Sequence, residues 1–92
     1  MKMEDIEVTE QEREQVLKVF FKDGKLTQMP AQHKKQIIVI KEIAKLFQKD
    51  KEYTEFELNR VIKPVAEDFC TIRRTLVDLG VLSRENGIYR LK

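Results

Sequence analysis

Hydrophobic positions in the second half of the chain recur first with a helical period and then with a strand period, and capping residues mark the change. Thr54 is a strong N-cap, since its hydroxyl accepts a first-turn amide, and Glu57 three residues on completes a capping box, so a helix starts near Glu55. Pro64 donates no backbone hydrogen bond and biases Lys63 away from helical geometry, which predicts a stop near Ile62 and a second helix across a sharp turn. From Val65 to Leu79, the positions Val65, Phe69, Ile72, Leu76 and Leu79 share one face, and Gly80 can take the left-handed conformation that closes helices. Beyond it, Val81 to Arg84 and Ile88 to Leu91 flank Asn86-Gly87, the dipeptide favoured by a type I′ hairpin turn.

The first half reads as two more helices. Thr9 and Glu12 form another capping box, opening a helix with Val16, Leu17, Phe20 and Phe21 on one side before Asp23-Gly24 stops it. Arg13 falls inside that apolar arc, so the helix is expected to be only partly covered near its start. Lys25 to Met29 alternates too briefly to separate a short strand from an extended crossing. Pro30 suits a first helical turn, and Ile40, Ile43, Ala44 and Phe47 predict a central core helix over Ala31 to Phe47. Its opposite face carries Lys34, Lys41 and Lys45 with Ile38 among them. Gln48 to Glu52 reads as a charged loop, and Tyr53 as a short strand beside the C-terminal hairpin. The order helix, short strand, helix, helix, hairpin is that of a winged helix-turn-helix. The expected fold is therefore mainly α with a small β-hairpin, winged-helix-like with an additional N-terminal helix. Residues 1–8 are expected to be a mobile acidic tail and 9–92 a single domain. One core cluster of Phe20, Ile40, Phe47, Leu58, Phe69, Ile72 and Leu76 is expected, because a chain of 92 residues supports one core.

Composition narrows the function classes. With 41% hydrophobic and 37% charged residues the chain is too apolar for wholesale disorder and too charged for a membrane span. The N-terminus is too acidic for a secretory signal, and a lone cysteine forms no internal disulfide, so a cytoplasmic location is expected. Met1 to Glu14 holds six acids against two bases, so a net +2 leaves the remainder at +6. A modestly basic body permits nucleic-acid binding without requiring it.

Candidate chemistry is confined to the surface. His33 and Cys70 sit in no motif, the three glycines are accounted for as caps or turns, and no metal set is spaced for coordination, so neither an enzyme nor a cofactor is expected. The outward face of the candidate reader helix, Glu67, Thr71, Arg74 and Asp78, sums to −1. Arg73 projects from its flank beside Ala66, Cys70 and Val77. Arg73 and Arg74 are the candidates for reading guanine edges, and Arg84 and Arg90 on the hairpin for phosphate contacts. The bland alternatives are pairing of Arg74 with Asp78 and of Arg73 with a neighbouring element, and a hairpin basic only to prevent edge pairing. Ile38 and Val77 are the candidate partner contacts, because an apolar residue among lysines can mark an interface with a homodimer mate or a regulatory protein.

Two segments carry a family resemblance. Val16 to Phe47, with Phe20, Phe21, Asp23, Gly24, Leu26, Pro30 and Lys34, and Tyr53 to Asn59 followed by Asp68 and Ile72 to Leu76, resemble a small bacterial domain of unknown function. That domain occurs alone or behind ArsR-type winged-helix regulators. The usual leucine before the arginine pair is Ile72 here. The resemblance implies a regulatory, winged-helix-like association and transfers no active site. No ArsR-type domain precedes the module in this chain, so it is expected either to bind DNA itself or to keep only an interaction role. A bacterial transcriptional regulator or regulator-associated module that binds double-stranded DNA is the first expectation, and a dimerisation or protein-interaction module the second.

Overall fold

A computed structural model describes residues 7–92. The expected tail lies outside the described residues apart from Glu7 and Val8, and Val8 already packs against the core. Four helices and two small antiparallel sheets follow in the order α1 (Glu10–Phe20), β1 (Phe21–Lys22), β2 (Lys25–Leu26), α2 (His33–Ala44), β3 (Glu52–Thr54), α3 (Glu55–Ile62), α4 (Phe69–Asp78), β4 (Leu82–Glu85) and β5 (Ile88–Leu91). No helix among the described residues is long and apolar enough to cross a membrane.

Local rules account for most boundaries. Thr9 and Thr54 cap α1 and α3 as expected, and at Thr54 both halves of the capping box form, with Glu57 accepting the Thr54 amide at 3.0 Å. At the end of α4 the Gly80 amide reaches the Val77 carbonyl and the Val81 amide the Leu76 carbonyl, with Gly80 at φ +79. This is a Schellman closure, which satisfies carbonyls a bare helix end leaves open. Asn86 and Gly87 both take positive φ, so β4 and β5 join through the expected two-residue turn.

Three helices differ from expectation at their boundaries. Asp23-Gly24 does not stop α1. Both residues have positive φ and form the turn of a small hairpin, with Phe21 paired to Leu26, so helix gives way to strand at Phe21. The central helix starts at His33 rather than Ala31 and ends at Ala44, yet Phe47 beyond it is still buried, edge-on to Tyr53 with centroids 5.4 Å apart. The helix α4 starts at Phe69, four residues later than the expected Val65. The Asp68 carboxylate accepts the Thr71 amide and hydroxyl and so caps the helix, while the Val65 carbonyl is taken by the Leu26 amide. Glu67 accordingly precedes α4 and leaves its outward face.

The core is one cluster around α2, in which Ile37, Ile38, Val39, Ile40 and Ile43 are all buried. A helix buried on so many sides is central, and α1 packs on one side of it and α4 on another. Of the expected core residues, Ile40, Phe47, Leu58, Ile72 and Leu76 are buried, while Phe20 and Phe69 are half-buried against the cluster. The three-stranded sheet has the order β3-β5-β4, so β3 closes the free edge of β5. Tyr53 pairs with Tyr89 across it, and both rings point into the core.

Candidate nucleic-acid interface

Helices α3 and α4 pack against each other across the turn at Pro64, and α4 leads directly into the β4–β5 hairpin. A groove of about 230 Å³ runs between α4 and the hairpin, lined by Arg73, Arg74, Val77, Asp78, Arg84 and Tyr89 together with Glu55. Three of the four candidate arginines therefore line one groove. The fourth, Arg90, lies on the outer side of the sheet, where it is ion-paired to Glu52 on β3.

The arginines differ in freedom. The Arg73 side chain is only 19% exposed; its guanidinium donates to Asn59 Oδ1 at 2.6 Å and pairs with Glu55 at 3.4 Å, both on α3. Arg73 thus ties the two helices together, which is the bland alternative for that residue. Arg74 enters no ion pair among the described residues, and Asp78 one turn on does not capture it. Arg84 likewise enters no ion pair among the described residues and lies over the Tyr89 ring at 5.8 Å, which orients the guanidinium without neutralising it. The freely available cations of the groove are Arg74 and Arg84.

The partner candidates separate as well. Val77 is half-buried in the groove, whereas Ile38 is 4% exposed and belongs to the core, which withdraws it as a surface contact. The cause is α1. Glu12 pairs with Lys34 at 2.6 Å, and Arg13 reaches Glu42 at 3.0 Å. Lys34 and Glu42 lie one helical turn on either side of Ile38, so α1 crosses over it. Arg13, out of place in an apolar arc, spans to α2 alongside Glu12.

Several surface features went unmarked in the sequence. Phe56 is 70% exposed on α3, with the Arg60 guanidinium 5.8 Å over its ring, and the Lys63 ammonium stands 5.8 Å over Phe69. Their signal was the spacing of Phe56, Arg60 and Lys63 at i, i+4 and i+7 on one helical stripe. Cys70 is exposed on α4 and His33 exposed at the start of α2.

The described architecture is an α+β domain in which a helix pair feeds a small antiparallel sheet. Residues 25–91 match the model of a family described as an uncharacterized protein conserved in bacteria, DUF2087, and the chain belongs to this family. The match runs from β2 through β5, so α1 and β1 lie ahead of it. No curated protein and no solved structure matches the chain.

Proposed function

We propose that this domain is a winged-helix-like DNA-binding module of a bacterial transcription regulator, with α4 entering the major groove and the β4–β5 hairpin serving as the wing. The reading is carried by one observation: Arg74 on the outer face of α4 and Arg84 on the hairpin, both without ion pairs among the described residues, line the same groove. The order α2, β3, α3, α4, β4, β5 with strand order β3-β5-β4 supports it, because in helix-turn-helix docking the second helix presents its outer face to base edges. Arg74 is the base-edge reader and Arg84 the phosphate contact. Arg73 positions α4 on α3.

The test is titration of randomised duplex DNA at low salt. Arg74→Ala relaxes preference at one base position and costs about 1–3 kcal/mol. Arg84→Ala weakens binding to all sequences and makes the salt dependence shallower. Absence of binding by the wild type, or indifference to both changes, overturns the proposal.

A second reading rests on Asp78 in the same groove, whose charge repels phosphates and enters no ion pair among the described residues, and on the half-buried Val77 beside it. In that reading the groove holds another protein chain. A defined oligomer in solution that Val77→Asp disperses, without DNA binding, selects it.

A further inference from the structure

We infer that the outer stripe of α3 and its C-cap, formed by Phe56, Arg60 and Lys63, is a second DNA contact that grips the phosphate backbone of the duplex whose groove α4 enters. The inference rests on the DNA-binding reading above and names residues which that reading does not use. Both acids of α3 are committed elsewhere: Glu55 is ion-paired to Arg73, and the Glu57 carboxylate accepts the Thr54 amide in the capping box. None of the ion pairs among the described residues involves Arg60 or Lys63, so the stripe presents two uncompensated cations. Aromatic rings hold them in place. Arg60 lies over Phe56 and Lys63 over Phe69, each at 5.8 Å, an arrangement that restrains a long side chain while leaving its charge available to an anion.

The stripe is continuous with the candidate reader helix. Phe69 is the first residue of α4, so Lys63 sits at the end of α4 whose residues contact base edges in helix-turn-helix docking. Farther along, the Arg73 bonds to Asn59 and Glu55 hold the rest of α3 against α4. The helix before the reader crosses the backbone in that docking mode, which is the position α3 occupies relative to α4. Arg60 and Lys63, three residues apart, leave the helix roughly 5–6 Å from one another and so reach two phosphates of one strand. Phe56, exposed at the N-terminal end of the stripe beside Arg60, suits this role, since its ring can pack against the sugar edge once water is displaced. DNA is the occupant that the uncompensated charge favours over an apolar protein surface.

The experiment is a salt titration of randomised duplex DNA with the full chain, the double variant Arg60→Gln and Lys63→Gln, and a control that removes two exposed cations elsewhere, Lys18→Gln and Lys22→Gln. Thermal melting confirms that each is folded; if the double variant melts early, Lys63→Gln alone carries the test with half the effect. The α3 variant is expected to weaken binding to all sequences alike and to lower the slope of log affinity against log salt by about 1.8, near 0.9 for each lost phosphate contact, while the control leaves the slope unchanged. If the wild type binds and the α3 variant keeps its slope, this contact is refuted and the α4 reading stands. An equal loss in the control assigns the effect to net charge and refutes the contact too. A wild type that binds no duplex overturns both readings. A dimer that Phe56→Ala converts to monomer, with DNA binding unaltered, makes the stripe a protein interface and overturns the inference.

Discussion

Arg73 and Arg74 are adjacent in sequence and opposite in environment, because one residue along a helix turns the side chain by about 100°. Arg73 points into the seam between α3 and α4 and is mostly covered there; Arg74 points to solvent. Arg73→Ala leaves Asn59 and Glu55 without their donor and is expected to destabilise the fold by about 1–2 kcal/mol, the Glu55 share being reduced by its exposure. Arg74→Ala should leave the urea midpoint unchanged. Measuring both midpoints separates strut from reader, and equal midpoints would contradict the assignment. Ile38 makes the same point about context. Its sequence neighbours are those of a surface residue, but it belongs to the core, so Ile38→Ala is expected to cost about 2–5 kcal/mol in urea denaturation, as buried large-to-small changes do. A surface residue there would cost almost nothing.

Helix ends and turns in this chain follow short-range chemistry. At Gly87 an added Cβ would meet nothing within 4 Å, but φ is +78, so the penalty of a side chain is purely conformational. Gly87→Ala is therefore expected to lower stability by roughly 1–2 kcal/mol without altering core packing. Unchanged core methyl shifts in NMR alongside a lowered melting point would confirm that division. Glu12, Glu57 and Asp68 sit in the capping sites of α1, α3 and α4. Hydrogen bonds from Lys34, from the Thr54 amide and from Thr71, respectively, hold their carboxyls below the ordinary range. With folded values depressed, the unfolded chain binds more protons in the window between the lowered and ordinary values, so stability rises with pH there. Their contribution is fully present above the ordinary glutamate value of 4.5 and is lost as pH falls through the folded values. The urea midpoint should be flat near neutrality and fall below that value, and Glu57→Gln should make the fall shallower.

At the scale of the whole molecule, charge is distributed by pairing more than by composition. Among the described residues, Arg13, Lys34, Lys45, Arg73 and Arg90 are occupied by acids, leaving Arg60, Lys63, Arg74 and Arg84 without ion pairs on the helix pair and its hairpin. A net charge of +2 understates that local field, which is the quantity a phosphate backbone senses. Binding to duplex DNA is accordingly expected to weaken steeply with added salt, and a flat response in a salt titration would contradict a phosphate-gripping surface.

The Thr9 cap, the Thr54 capping box, the Gly80 closure and the Asn86-Gly87 turn were legible because each depends on residues within a few positions of one another. The strand at Tyr53 was also expected, although it takes in Glu52 as well, because its pairing with β5 reaches Arg90. The start of α4 was misread because a carboxylate cap at Asp68 competed with a continuous apolar period from Val65, and a β2 amide claims the Val65 carbonyl from far along the chain. Tertiary structure alone decided that Ile38 is core, that Arg73 and Arg90 are engaged, and that Arg74 and Arg84 share a groove. Periodicity reports which side of a helix a residue occupies; which element covers that side, and which charges meet across it, depends on contacts between segments whose separation no local pattern encodes.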